Sequence, residues 1–249
     1  MKIDISASCR IGCVRNNNED MVLVDLWCTR NGQVQTETNT DDVDRYLIAV
    51  ADGMGGHNCG EVASSDVLHN LQFFFSDIPV GLDASSFNEA IYEWLSSINH
   101  TFVSKGAYDE RYSKMGTTLV AWAYYGHQFY WMNCGDSRIY HYHANTLTQL
   151  STDHSLSTLV GDTQHSNIIT NCIGGGCKNS FIDIVCCTDE VMPGDSFLLC
   201  SDGLTDMLSD SRIAELLAAG KNADELCQEA EKAGGFDNVS AIIATVKSY

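Results

Sequence analysis

The sequence predicts an α+β fold in which antiparallel sheets pack together and carry helices on their outer faces. Short apolar runs and segments with helical spacing alternate in the order strands, two helices, several strands, two helices and one strand. This order lacks the strict alternation of strand and helix that a parallel sheet requires. The chain has 249 residues, which is enough to bury a core, so we expect one domain over residues 1–249.

The first four elements follow from two different periodicities. Residues 21–27 and 45–51 are short apolar runs typical of strands, and the polar stretch 28–44 predicts that they form a hairpin with a long loop. Residues 61–75 and 87–103 repeat apolar side chains at intervals of three and four, which predicts two amphipathic helices.

The remaining elements are a series of strands, two helices and a closing strand. Helical spacing predicts helices over residues 209–219 and 223–233. Short apolar runs bounded by turn residues predict the strands, because a tight turn can join antiparallel neighbours. These strands cover residues 117–125, 128–133, 138–143, 181–187, 196–201 and 238–246.

Charge and composition exclude several classes of protein. Asp and Glu number 33 and Lys and Arg number 14, so the formal charge is −19. Nucleic acids and anionic membranes require a basic footprint, so we expect neither as a partner. Without a signal-peptide pattern or an apolar run of about 18 residues, the sequence predicts a cytoplasmic protein whose eleven cysteines are reduced thiols.

Acidic residues gather at predicted strand ends and turns. A carboxylate that ends a buried strand and is followed by glycine is rigidly placed beside an accessible backbone carbonyl. Several such groups would form an oxygen-donor site for Mg²⁺ or Mn²⁺, and a nearby arginine could hold a phosphate. Taken singly, each Asp-Gly pair is more typical of a plain turn. The clusters are Arg15 with Asn18-Glu19-Asp20, Asp52-Gly53, Ser201-Asp202-Gly203 and Asp237-Asn238.

Eight motifs that include these clusters follow one another nearly end to end. They are residues 12–20, 50–57, 60–64, 115–118, 133–138, 150–155, 199–206 and 234–240. In this order they resemble the metal-dependent Ser/Thr protein phosphatases (PPM, type 2C), in the bacterial branch of that family. The resemblance implies a four-layer α-β-β-α sandwich with metals at one end between the sheets. It also implies a flap that is shortened here to about residues 156–166.

The resemblance implies a binuclear centre of Mn²⁺ or Mg²⁺. Asp52 would bridge the two ions, and Gly53 would offer its backbone carbonyl to one of them. Asp202 and Asp237 would bind the other ion, and Glu19 would act on the first through a water molecule. Asp136 and Asp206 match positions that hold a third, weaker metal in bacterial relatives.

The resemblance also assigns roles outside direct metal binding. Arg15 would bind the substrate phosphate, and Asp20 would orient metal-bound water. A His follows Asp-Gly in eukaryotic relatives as a proposed general acid, but Met54 occupies that place here, as is common in bacterial members. His57 therefore remains a candidate for an acid or a supporting residue, and Asn238 is a candidate support beside Asp237.

The implied reaction is direct in-line hydrolysis of a phosphomonoester by a water that bridges the metals, with no covalent phosphoenzyme. The implied partners are a phospho-Ser/Thr protein and an opposing Ser/Thr kinase, and a monomer is expected. Two other readings stay open. One is a phosphatase-like binding module without activity, and the other is a regulatory phosphatase dedicated to one protein.

Two histidines stand apart from these motifs. His141 and His143 are two residues apart on a predicted strand, so both side chains face the same side and could bind one metal together. No third ligand lies near them in the sequence. Ordinary surface histidines are therefore the favoured reading.

Overall fold

The computed structural model describes residues 1–55, 59–161, 168–177 and 179–247. Short 3₁₀ helices lie at Glu110–Tyr112 and Thr188–Glu190. The α-helices in these ranges are α1 (Gly60–Asp77), α2 (Ala84–Tyr108), α3 (Leu156–Val160), α4 (Asp202–Thr205), α5 (Asp210–Ala218) and α6 (Ala223–Lys232). The strands are β1 (Lys2–Arg10), β2 (Asp20–Val24), β3 (Trp27–Thr29), β4 (Gly32–Asn39), β5 (Arg45–Met54), β6 (Gly116–Thr117), β7 (Leu119–Tyr125), β8 (Gln128–Cys134), β9 (Arg138–His143), β10 (Thr146–Gln149), β11 (Ile173–Gly174), β12 (Asp183–Cys186), β13 (Ser196–Cys200) and β14 (Val239–Val246).

The strands form two antiparallel sheets. The first sheet has six strands in the order β10-β9-β13-β14-β1-β4. The second has eight, with the path β11-β6-β5-β7-β8-β12, and β2 joins it by pairing with both β5 and β3. Because β1 and β14 are neighbours, the two ends of the described chain lie side by side in the first sheet.

Three apolar clusters separate four layers. One lies between the second sheet and helices α1 and α2, and another between the first sheet and helices α5 and α6. The third lies between the sheets, where the Trp122 ring stacks on Phe129 and Phe197 with centroids 4.8 Å and 4.9 Å away. The predicted α-β-β-α sandwich is therefore confirmed.

The two runs that flank residues 28–44 pair antiparallel as β2 and β5, as the predicted hairpin requires, but the stretch between them is more than a long loop. It contains β4, which pairs with β1 at the edge of the first sheet. An edge strand exposed to water needs no apolar alternation, so the polar sequence of β4 does not show the pattern from which strands are predicted. The sequence analysis also missed β1, in which Ile3, Ile5, Ala7 and Cys9 alternate inward toward the cluster between the sheets.

The segment predicted as a shortened flap begins with helix α3. Ser155 caps this helix, and Leu159 and Val160 are exposed on its surface. Residues 162–166 of the predicted flap lie outside the described residues. Among the helices in the described ranges, none combines the length and apolar character needed to cross a membrane.

Candidate metal and phosphate site

Strand pairing brings the predicted carboxylates to one end of the sandwich. In the second sheet, Asp20 of β2 lies directly opposite Asp52 of β5. In the first sheet, β13 runs out into Asp202, and Asp237 precedes the start of β14, its antiparallel neighbour. Each sheet therefore contributes acidic residues to the same end of the gap between the sheets.

Asp20 joins the two sheets at this end. Its side chain is buried, and its Oδ2 accepts hydrogen bonds from Ser201 Oγ at 2.7 Å and Ser240 Oγ at 2.8 Å. Its Oδ1 is also buried but has no hydrogen-bond partner among the described residues. Asp20 thus presents a rigidly held carboxylate oxygen that is available to another ligand.

Backbone contacts fix Asp52 at the end of β5. Its N–H donates to Thr118 Oγ1 at 3.0 Å, and its carbonyl accepts from the Thr117 hydroxyl at 2.8 Å and the Thr118 N–H at 2.9 Å. The next residue, Gly53, has no room for a side chain, because a Cβ there would lie 2.0 Å from the Gly60 carbonyl oxygen. The chain can take this path only with glycine at that position.

The electrostatics of this cluster favour binding of cations. Burial first, and then neighbouring carboxylates, raise the pKa of Asp20 to about 7 and that of Asp202 to about 6. The same causes raise the pKa of Asp52 well above its usual range. Burial, followed by repulsion from Glu61, also raises the pKa of Glu19. These groups therefore lie in excess negative charge that a divalent cation would neutralise.

Oxygen donors of this kind fit Mg²⁺ or Mn²⁺. One oxygen of Asp202, Oδ1, is buried without a hydrogen-bond partner in the described part of the chain, as is Oδ1 of Asp20. Orphaned carboxylate oxygens are costly in a buried site unless something binds them. The residues present therefore fit the predicted metals.

Asp237 is held differently from the other carboxylates. It is partly exposed, and its Oδ2 accepts a hydrogen bond from the Arg15 guanidinium at 2.6 Å. This hydrogen bond is the largest cause that raises the pKa of Arg15. Arg15 is half-exposed, so its guanidinium lies where a phosphate from solvent can reach it. The structure thus places the predicted phosphate ligand directly beside a predicted metal ligand.

Asn238 links the opening loop to the start of β14. Its side-chain oxygen accepts from the Glu19 N–H at 2.8 Å. Its amide nitrogen donates to the carbonyls of Ile11 and Asn17, each at 2.9 Å. All hydrogen-bonding groups of this buried amide therefore hold the segment that carries Arg15 and Glu19.

The two residues predicted for a third metal border the cluster. Burial, followed by repulsion from Asp202, raises the pKa of Asp136 to about 7. Asp206 is exposed, and its charge contributes to the raised pKa of Asp202. His57 lies outside the described residues.

Sequence analysis missed several polar residues that position the site. Ser201 and Ser240 lie inside two of the motifs, and their hydroxyl groups hold Asp20. Ser64 Oγ donates to the Glu19 carbonyl at 2.6 Å, and Thr118 orients Asp52. The sequence signal that could have pointed to these residues was the presence of Ser and Thr inside the eight motifs.

Comparison with known proteins agrees with this geometry. A family model described as protein phosphatase 2C matches residues 33–235. The chain is 32% identical over 248 residues to the serine/threonine protein phosphatase PstP of Mycobacterium tuberculosis, which covers 96% of this chain and 44% of that protein. The chain therefore spans less than half the length of that relative.

Solved structures show the same fold. A serine/threonine phosphatase of S. agalactiae superposes with a TM-score of 0.83 at 29% identity, covering 98% of this chain and all of that one. The catalytic domain of PstP in complex with two manganese ions superposes with a TM-score of 0.74 at 30% identity, covering all of both chains. The chain belongs to the protein phosphatase 2C family, as its motifs predicted.

Proposed function

We propose that this protein is a metal-dependent serine/threonine phosphoprotein phosphatase formed by one domain over residues 1–249. The observation that carries the proposal is the convergence of Asp20, Asp52 and Asp202 from both sheets, with orphaned oxygens and raised pKa values, beside an accessible Arg15. Membership of the protein phosphatase 2C family supports the same activity.

Two Mn²⁺ or Mg²⁺ ions would be held by Asp52, the Gly53 carbonyl, Asp202, Asp237 and, through water, Glu19. When bound, these ions supply an activated water nucleophile and neutralise phosphate charge. The two manganese ions in the related PstP structure support this number of metals. A third ion would lie near Asp136 and Asp206, which border the carboxylate cluster.

The chain's own groups would bind and orient the reactants. Arg15 would bind two phosphate oxygens, exchanging its contact with Asp237 for the substrate. Asp20, fixed through Oδ2, would accept a hydrogen bond from the attacking water at Oδ1. The water oxygen bonds to phosphorus, the bond from phosphorus to the Ser or Thr oxygen breaks, and the leaving oxygen takes a proton. His57 remains the side-chain candidate for that proton.

The substrates would be phospho-Ser/Thr proteins made by an opposing kinase. An accessible arginine at the edge of the site suits a phosphorylated side chain that extends from a protein surface. We propose that the protein acts as a monomer in the cytoplasm, where thiols stay reduced.

The test is hydrolysis of p-nitrophenyl phosphate and of a phosphothreonine peptide, each with Mn²⁺ and with EDTA. Asp237→Ala tests the site, and Asp42→Ala, an exposed acid outside it, is the matched control. We expect metal-dependent turnover that Asp237→Ala removes and Asp42→Ala keeps. Folded, metal-loaded protein that hydrolyses neither substrate would favour a binding module or an enzyme restricted to one partner, and would contradict the general activity proposed here.

A further inference from the structure

A cluster of two histidines and one aspartate lies at the opposite end of the first sheet. His141 and His143 belong to β9, and Asp195 directly precedes β13. Ser196 pairs with Tyr142 across these antiparallel strands, so Asp195 comes opposite His143. Asp202 lies seven residues further along, roughly 20 Å away at the rise of a strand. The cluster is therefore separate from the acidic site.

Both imidazoles contact the same carboxylate. His141 Nε2 lies 2.8 Å from Asp195 Oδ2, and His143 Nδ1 lies 2.6 Å from Asp195 Oδ1. The three ligand atoms all lie within 4.8 Å of one another.

A third potential ligand for these histidines comes from a distant part of the chain. Asp195 lies 52 residues from His143 along the chain, so spacing in the sequence did not reveal it. The local sequence does predict a turn immediately before Asp195, through the Pro193-Gly194 pair. Gly194 has a φ of 96°, and the Asp195 N–H donates to the Met192 carbonyl at 3.1 Å, which are features of a type II turn.

The fold holds these side chains before any ion arrives. The Asp195 carboxylate is 3% exposed and also accepts a hydrogen bond from the Met192 N–H at 3.2 Å. The His141 ring stacks on Phe197 with centroids 4.8 Å apart and an interplanar angle of 10°. His143 is 58% exposed, so one side of the cluster is open to solvent. The site thus combines fixed ligands with a path of entry.

We propose that His141 Nε2, His143 Nδ1 and an Asp195 carboxylate oxygen bind one Zn²⁺ ion, with water from the open side as fourth ligand. Two imidazole nitrogens and a carboxylate are typical zinc ligands. Each imidazole binds the ion through the nitrogen that now faces Asp195, and the hydrogen there moves to the other ring nitrogen or, from an imidazolium, is released to water. Mixed nitrogen and oxygen donors favour Zn²⁺ over Mg²⁺, whereas the acidic site offers only oxygen, so the two ends select different metals.

The site also links separate parts of the first sheet. Asp195 accepts through its carbonyl from the Val246 N–H at 2.8 Å, so an ion held there connects β9 to the turn before β13 and to the end of β14. Zn²⁺ bound to the folded state alone raises the melting temperature. We therefore expect this zinc site to stabilise the fold and to take no part in catalysis.

The test is a Zn²⁺ titration in competition with a chromogenic zinc chelator, with Mg²⁺ saturating the acidic site and a phosphine keeping thiols reduced. The variants are His143→Gln, which changes an exposed side chain, and Asp195→Asn. The matched control is His100→Gln, an exposed histidine on α2. We expect one Zn²⁺ per chain, an affinity lowered at least about 100-fold by either cluster variant, and a change below about twofold in the control.

X-ray absorption of the stoichiometric zinc complex distinguishes this site from cysteine binding. We expect nitrogen and oxygen ligands and no sulfur. Sulfur ligands, equal affinity in wild type and His143→Gln, or no competitive binding would each overturn the inference. Hydrolysis of p-nitrophenyl phosphate measured with Mg²⁺ on the same samples shows whether the phosphatase proposal stands or falls separately.

Discussion

The two ends of the sandwich hold aspartates under opposite electrostatic conditions. At the acidic end, burial and neighbouring carboxylates raise the pKa of Asp20 and Asp202. At the histidine end, burial of Asp195 acts in the same direction, but hydrogen bonds from His143 and His141 outweigh it and lower the pKa. At the histidine end the partners of the carboxylate therefore outweigh its burial, whereas at the acidic end burial is the larger cause of the shift in pKa.

The contrast also shows what each end is prepared to bind. The acidic end carries orphaned oxygens, which leave the protein short of positive charge until cations bind. The histidine end is already satisfied by its own hydrogen bonds. Loss of metal should therefore destabilise the acidic end far more than the histidine end.

The largest expected effect tests the acidic end. Asp52→Asn removes a charge from the proposed bridging ligand, so kcat/KM for p-nitrophenyl phosphate with Mn²⁺ should fall more than about 10³-fold, beyond the 10–100-fold loss typical of outer-shell partners. Asp42→Asn is the control for loss of one negative charge. A decrease of less than tenfold would contradict the bridging role.

Arg15→Ala separates phosphate binding from metal binding. We expect kcat/KM to fall about 10²-fold, since one strong donor to the developing charge is lost. The Arg15–Asp237 ion pair is largely exposed, so the free energy of unfolding should change by no more than about 1 kcal/mol. Calorimetry should find Mn²⁺ affinity retained, and a collapse of that affinity would show that Arg15 supports the metals instead.

Asn238→Ala tests how the opening loop is attached at the acidic end. Three hydrogen bonds to Glu19, Ile11 and Asn17 are lost, so the free energy of unfolding in urea should fall by about 2–4 kcal/mol. Asn238→Asp keeps the acceptor for Glu19 but turns the carbonyls of Ile11 and Asn17 against a carboxylate oxygen, so it should lose at least as much. Equal stability of wild type and Asn238→Ala would mean that the loop is held by other contacts.

In EDTA, neutralising one aspartate should change the melting temperature in opposite directions at the two ends. Asp52→Asn relieves repulsion and should raise the melting temperature, whereas Asp195→Asn weakens two imidazole contacts and should lower it. Each change of about 1 kcal/mol shifts the melting temperature by about 2–4 °C in a chain of this size. Shifts of the same sign would contradict the difference between the two ends.

The pH dependence of the metal-free protein is the smallest effect. Folding raises the pKa of Asp20 to about 7 and of Asp202 to about 6 from an ordinary 3.8, so the folded state binds protons more tightly than the unfolded chain. Stability is therefore greatest below about pH 4 for these groups and is lost as pH rises through 6 to 7. Melting curves in EDTA should show this decrease, and Asp20→Asn should reduce it.

Most of the fold was predictable because its central elements have clear periodicity. Helices α1, α2, α5 and α6 were predicted within a few residues, as were β7, β8, β9 and β13. The edge strand β4 was not, because water covers much of its surface and its sequence carries no apolar alternation.

The acidic motifs alone predicted which residues would carry the proposed chemistry, since an aspartate at the end of an apolar strand has a defined position. Which of these residues share a charge environment depends on how the folded strands pair. Asp20 and Asp52 meet through strand register, whereas Asp237 is paired with Arg15. The third ligand of the histidine cluster likewise came only from the fold, because contacts between distant strands depend on sheet order, which local sequence does not specify.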